Sequence, residues 1–193
     1  MAQPFRFRIP VLELLAALHG DALSRSSRPL TNEERCLLGE VFGESLDLDA
    51  IRIAETSFAN SPTTLGNSIR LRKGASLPPW VLVHEAMHVW QFQTQGTAYV
   101  SDSAFHQGVS LLLTGSRAAA YEVTLAPGRS IHDYTAEQQA MIVENAFQFA
   151  EWRDNPEVRR LLEEVRSARP LTPEAIAEEA ARGPGFPLFR IEL

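Results

Sequence analysis

Cysteine is nearly absent from this chain. Its single copy, Cys36, rules out an internal disulfide, and its place in a helical apolar pattern away from any candidate base predicts a small buried hydrophobe. Basic runs are missing as well. Eighteen Lys and Arg stand against 24 Asp and Glu, a net charge of −6, which argues against a nucleic-acid partner. No apolar stretch approaches the roughly 20 residues of a bilayer-crossing helix, and no internal repeat or low-complexity tract is evident. Arg6 and Arg8 precede an apolar run, but Glu13 interrupts it and no small-residue cleavage site follows cleanly, so this segment reads as a helix rather than a secretory signal. The expectation is a soluble protein made in the cytoplasm with no membrane partner, export by a route without a signal staying open.

What the sequence holds is material for one core: 193 residues, 45% of them hydrophobic, suffice for one compact domain and not for two large ones. Residues 1–28 read as an N-terminal helix, started by Pro10, and a polar linker. Residues 29–153 read as the main domain and 154–193 as a helical extension. Thr31 followed by Glu34 is a capping box, predicting a helix to about Gly43. Two short strands are expected at 50–55 and 67–73, joined by a Ser/Pro/Thr/Gly-rich connection from Asn60 to Gly66. The second alternates Ile69 and Leu71 with Arg70 and Arg72, and as an edge strand it would suit pairing with an extended peptide. Pro78 and Pro79 start a largely buried helix from Trp80 to Gln93, ended near Gly96. Further helices are expected at 103–114, at 135–153 with Thr135 as cap, and at 155–167 and 172–182. The fold class is therefore α+β, mostly helical with a small sheet.

Inside the helix that starts at Pro79 lies His84-Glu85-Ala86-Met87-His88, an H-E-x-x-H sequence. Histidines four apart share one helical face, so both imidazoles can reach a single Zn²⁺, while Glu85 is placed to take a proton from water as general base. On an exposed helix the same five residues could occur by chance and be solvated. Here the flanking WVLV and VWQF are apolar, and buried polar groups need partners, which a metal supplies. A catalytic zinc takes three protein ligands and leaves one position open. The metzincin extension would need glycine at 91 and histidine at 94, where the chain has Gln91 and Thr94, so a glutamate from a later helix is the natural third ligand. Glu137 and Glu144, seven apart on one face, are the candidates, one to ligate and the other to orient a histidine. His106, Tyr121, His132 and Tyr134 could stabilise a tetrahedral intermediate, with Tyr134 best placed by chain order.

Four stretches, RPLTNEE, the FG of VFGESLDLDAIRI, TLGNSIRLRKG and HEAMHVWQ, resemble the bacterial zincin-like core domain of extracellular contractile injection systems. Farther on, AYEV and TAEQQAMIVENAF are similar to the related Vgr-associated proteins found near type VI secretion genes. The resemblance covers most of residues 29–150. It implies a minimal gluzincin fold with a helix, a small antiparallel sheet on the H-E-x-x-H helix, and a second helix bringing the third ligand. Because EQQA recurs in the Vgr-associated relatives, it favours Glu137 as that ligand over Glu144. Asn145 stands where an aspartate is expected in those relatives, which weakens any supporting role for that position. The function implied is a zinc metallopeptidase acting on a peptide or protein, with injection-system components as partners and export through such an apparatus. The alternative is a zinc-binding accessory or structural component without turnover, against which the retention of Glu85 speaks. A third reading, a metal-free scaffold with two core histidines, is separated from both by metal content.

Overall fold

The computed structural model describes residues 27–56, 61–96 and 123–182. The expected helices at 10–19 and 103–114, with His106 and Tyr121, lie outside these residues. Among the described residues the fold is mixed α+β, with four short strands and six helices. In order these are β1 (Ser27–Arg28), α1 (Asn32–Phe42), β2 (Arg52–Thr56), β3 (Thr63–Leu65), β4 (Ser68–Arg72), α2 (Pro79–Gln95), α3 (Ala136–Gln148), α4 (Ala150–Arg153), α5 (Pro156–Ser167) and α6 (Pro173–Arg182). A 3₁₀ turn at Ile131–Asp133 leads into α3.

The sheet has the order β1-β2-β4-β3 and is mixed rather than antiparallel, because β2 and β4 run parallel with Ile53 opposite Ile69. This corrects two expectations. The strand at 67–73 is interior, paired on both sides, and the end of the supposed linker, Ser27–Arg28, is itself an edge strand on β2. The other edge is β3, hidden in the stretch read as a connection. It folds onto β4 through a two-residue turn, Gly66-Asn67, in which Gly66 takes φ 59, the left-handed first position of a type II′ hairpin. That register puts Thr64 opposite Ile69, on the face turned to α2.

Local chemistry sets the helix ends. Thr31 and Glu34 form the capping box of α1, Pro79 opens α2 in its first turn, and Thr135 with Gln138 caps α3. Cys36 is exposed, contrary to the expectation, because α1 buries Leu38 and Phe42 one turn apart and Cys36 lies off that stripe. The helix expected to run unbroken over 135–153 stops at Gln148, where Phe149 turns extended, and restarts as α4.

One core joins these elements: Leu38 and Phe42 of α1, Ile53, Ile69 and Leu71 of the sheet, Val83, Met87 and Trp90 of α2, Ile142 and Val143 of α3, and Val158, Leu161 and Val165 of α5. Helix α5 thus packs in the same core. Trp90 Nε1 donates to Val165 O at 3.1 Å and Leu171 N to Gln93 O at 2.7 Å, fastening α5 and the stretch after it to α2. Leu161 is wholly buried, so Leu161→Ala is expected to cost about 2–5 kcal/mol and to lower the urea midpoint of the whole chain in one transition. An unchanged midpoint would show that α5 is not part of the cooperative core.

Candidate metal centre

Helix α2 is buried along nearly its whole length, yet His84, Glu85, His88, Gln91 and Gln93 all lie on it. Burying polar groups on such a helix is costly unless partners meet them. Opposite it, α3 presents Glu137 and Glu144, two turns apart and both buried, with Ala140 between them small enough for close approach.

The structure brings four of the expected site residues into one cluster. Glu137 Oε2 lies 3.4 Å from His84 Nε2 and 3.5 Å from His88 Nε2, and one ligand atom from each of the three residues falls within 4.8 Å of the others. Around a tetrahedral Zn²⁺ with bonds of about 2.0–2.1 Å, neighbouring donor atoms sit about 3.3 Å apart. An ordinary N–H···O bond is nearer 2.9 Å. The spacing is one that a shared cation could fill, and two imidazoles with one carboxylate are a donor set that catalytic zinc uses.

Glu144 takes the other position the sequence left open. Its Oε2 is 2.8 Å from His84 Nδ1, and its Oε1 accepts from Gln148 Nε2 at 2.8 Å. Because a carboxylate only accepts, His84 Nδ1 bears a proton, and when the ring gives up its other proton the lone pair is on Nε2, the atom that faces Glu137. Sequence reasoning expected a metal to satisfy these buried rings; the protein itself partners the Nδ1 of each, since His88 Nδ1 is 2.8 Å from Gln91 Oε1.

Glu85, on the same helix, points at the sheet. Its Oε2 accepts from the Thr64 hydroxyl at 2.7 Å, so β3 fixes the side chain proposed as a base. Thr64, Gln91, Gln139 and Gln148 were not foreseen as site residues. The Gly-Asn pair between TTL and SIRLR is a hairpin signal that could have led to Thr64. Tyr134 sits elsewhere in the contact network: its hydroxyl accepts from Ala126 N–H at 3.1 Å and Arg129 covers its ring at 4.7 Å, which is a packing role for the loop before α3. His132 stacks on Trp90, with ring centroids 5.8 Å apart.

Burial disfavours a charged His84, but its interactions with Glu137 and Glu144 and the charge of Glu85 outweigh this and hold the metal-free group up at about 9. For Glu137, burial pushes upward and the two histidines prevail, holding the carboxyl far below the usual range.

The chain is 28% identical over 145 residues to the type VI secretion system spike protein VgrG2b of Pseudomonas aeruginosa, across 67% of this chain and 14% of that protein. The solved effector domain of Pseudomonas aeruginosa VgrG2b superposes with a TM-score of 0.57 at 26% identity, covering 80% of this chain and 96% of that one. No family model matches the sequence. The chain is thus homologous to an effector domain of the type VI secretion system and spans about a seventh of the spike protein.

The raised His84 gives a signed pH dependence. Its contribution to stability is full below about 6.5, the ordinary value, and is lost as pH climbs through about 9. Glu137 acts in the opposite sense, its contribution disappearing as pH falls below 4.5. Chelator-treated protein should therefore melt at falling temperatures between pH 6.5 and 9, and scanning calorimetry across that window checks it. A melting temperature that rises there would contradict the charge pairing.

Proposed function

We propose that the chain is a zinc-dependent peptidase associated with a bacterial type VI-like secretion system. The observation that carries this reading is the Glu137 carboxylate oxygen held 3.4 and 3.5 Å from the Nε2 atoms of His84 and His88. His84, His88 and Glu137 would hold the ion. Bound there, zinc would supply a Lewis acid that polarises a peptide carbonyl and acidifies a water.

The chain's own residues do the rest. Glu85 accepts the proton of the attacking water and returns it to the departing amine, so its carboxylate must be ionised and held in one orientation. The Thr64 hydroxyl provides that hold by donating to Oε2, which leaves Oε1 to meet water. Glu144 keeps the His84 ring turned with Nε2 toward Glu137. A purely structural zinc needs no base, and the retention and bracing of Glu85 favour catalysis over an accessory role.

Similarity to a type VI effector domain supports delivery through such a system, with apparatus components as partners and a peptide or protein as substrate. No helix among the described residues is long and apolar enough to cross a membrane.

The test pairs metal content with turnover. Wild type should carry about one zinc per chain, His84→Ala should lose it, and Glu85→Gln should keep it while cleavage of a peptide library falls at least about 100-fold. Wild type without zinc after reconstitution would sink the metal reading. Zinc binding with cleavage indifferent to Glu85→Gln, or with none at all, would leave a metal-binding accessory in place of an enzyme.

A further inference from the structure

Beneath the three candidate ligands runs a second polar chain that the mechanism above does not use. Gln91 is wholly buried and Gln139 nearly so, at 5% exposure. Gln91 Nε2 donates to Ala136 O at 2.9 Å and to Gln139 Oε1 at 2.8 Å, and Gln139 Nε2 donates to Tyr134 O at 2.8 Å. Main-chain carbonyls can only accept, so both amides are oriented without ambiguity. Gln91 Oε1 must then be the atom that faces His88 Nδ1 at 2.8 Å, and it can only accept. His88 Nδ1 therefore bears a proton, which leaves Nε2, the atom that faces Glu137, as the nitrogen available to a metal.

We propose that Gln91, backed by Gln139, is a positioning residue that presets two of the three ligands at once. This role rests on the metal-site reading and follows from where the amide sits. The same amide that fixes the tautomer and tilt of His88 also grips the carbonyl of Ala136, the residue before Glu137. A buried amide pair serving stability alone could bridge the two helices anywhere along their contact. This pair does so against one ligand ring and in the turn that carries another ligand. Without it, the ring could place its proton on the nitrogen the metal needs, and the first turn of α3 would lose its anchor to α2.

The test uses the full chain with zinc alone as probe. Zinc affinity is measured by chelator competition, and the His88 Nδ1–H proton is followed by NMR in zinc-loaded protein. Wild type should show that proton resolved and slow to exchange. Gln91→Met should lose the resonance and bind zinc about 10–100-fold more weakly. Gln91→Glu, which returns an acceptor to Nδ1, should restore the resonance. Gln139→Met, which leaves that acceptor in place, should weaken zinc less than Gln91→Met. A folded Gln91→Met chain that binds zinc within about twofold of wild type would overturn the proposal and leave the metal site standing. Should Gln91→Met fail to fold, an unchanged zinc affinity in Gln139→Met would overturn it equally. Failure of the wild type to bind zinc would remove the metal reading and this one together.

Discussion

Helix α2 is buried on nearly every side while it carries Glu85, His88, Gln91 and Gln93 inward, and the rest of the structure is arranged to satisfy that condition. A buried donor or acceptor without a partner costs about 1–3 kcal/mol, and more if charged. Four such groups would consume much of the net stability of a domain this size. Each neighbour of α2 accordingly meets one of them. The β3 strand brings Thr64 to Glu85, α3 brings Glu137 and Glu144 to the histidines, and Gln93 binds both the amide and the carbonyl of Asp47 and reaches Asn67 in the hairpin turn. Fold and site are thus the same solution. The contacts that make α2 tolerable in the interior are those that aim its side chains.

This coupling explains what could be read from the sequence. Helix limits were legible because their signals are local: Thr31 with Glu34, Pro79 in the first turn of α2 and Thr135 before α3 each act within one turn of themselves. The pair His84 and His88 was legible for the same reason, since helical spacing alone puts them together. Strand direction was not, because the parallel pairing of β2 with β4 depends on which strand β3 occupies, a long-range choice that the Pro/Thr-rich wording of that segment conceals. The break at Phe149 carries no glycine or proline to announce it, and Cys36 faces solvent because α1 shows the core only a narrow stripe.

The likeness to a secretion spike protein is confined in a way that matters for what it implies. It reaches 14% of that protein yet 96% of the solved effector domain, so the shared part is the effector and not the spike that bears it. What such a likeness can transfer is therefore the framework of a site and its setting, while the chemistry has to be argued from the side chains in hand.

Those side chains are not symmetric, and the asymmetry has a chemical sense. His84 is backed by a carboxylate and His88 by a neutral amide. A carboxylate behind an imidazole makes it a stronger donor to a metal and also a stronger competitor for a proton, and Glu144 adds in this way to the pull of Glu137 that raises His84 to about 9. With Glu85, Glu137 and Glu144 already gathered at the site, a fourth carboxylate behind His88 would add repulsion among acids and raise a second proton against the metal. An amide gives His88 the same ring orientation without that charge. The ring beside Glu144 is thus held by charge, and the ring a turn further along is held by a neutral amide.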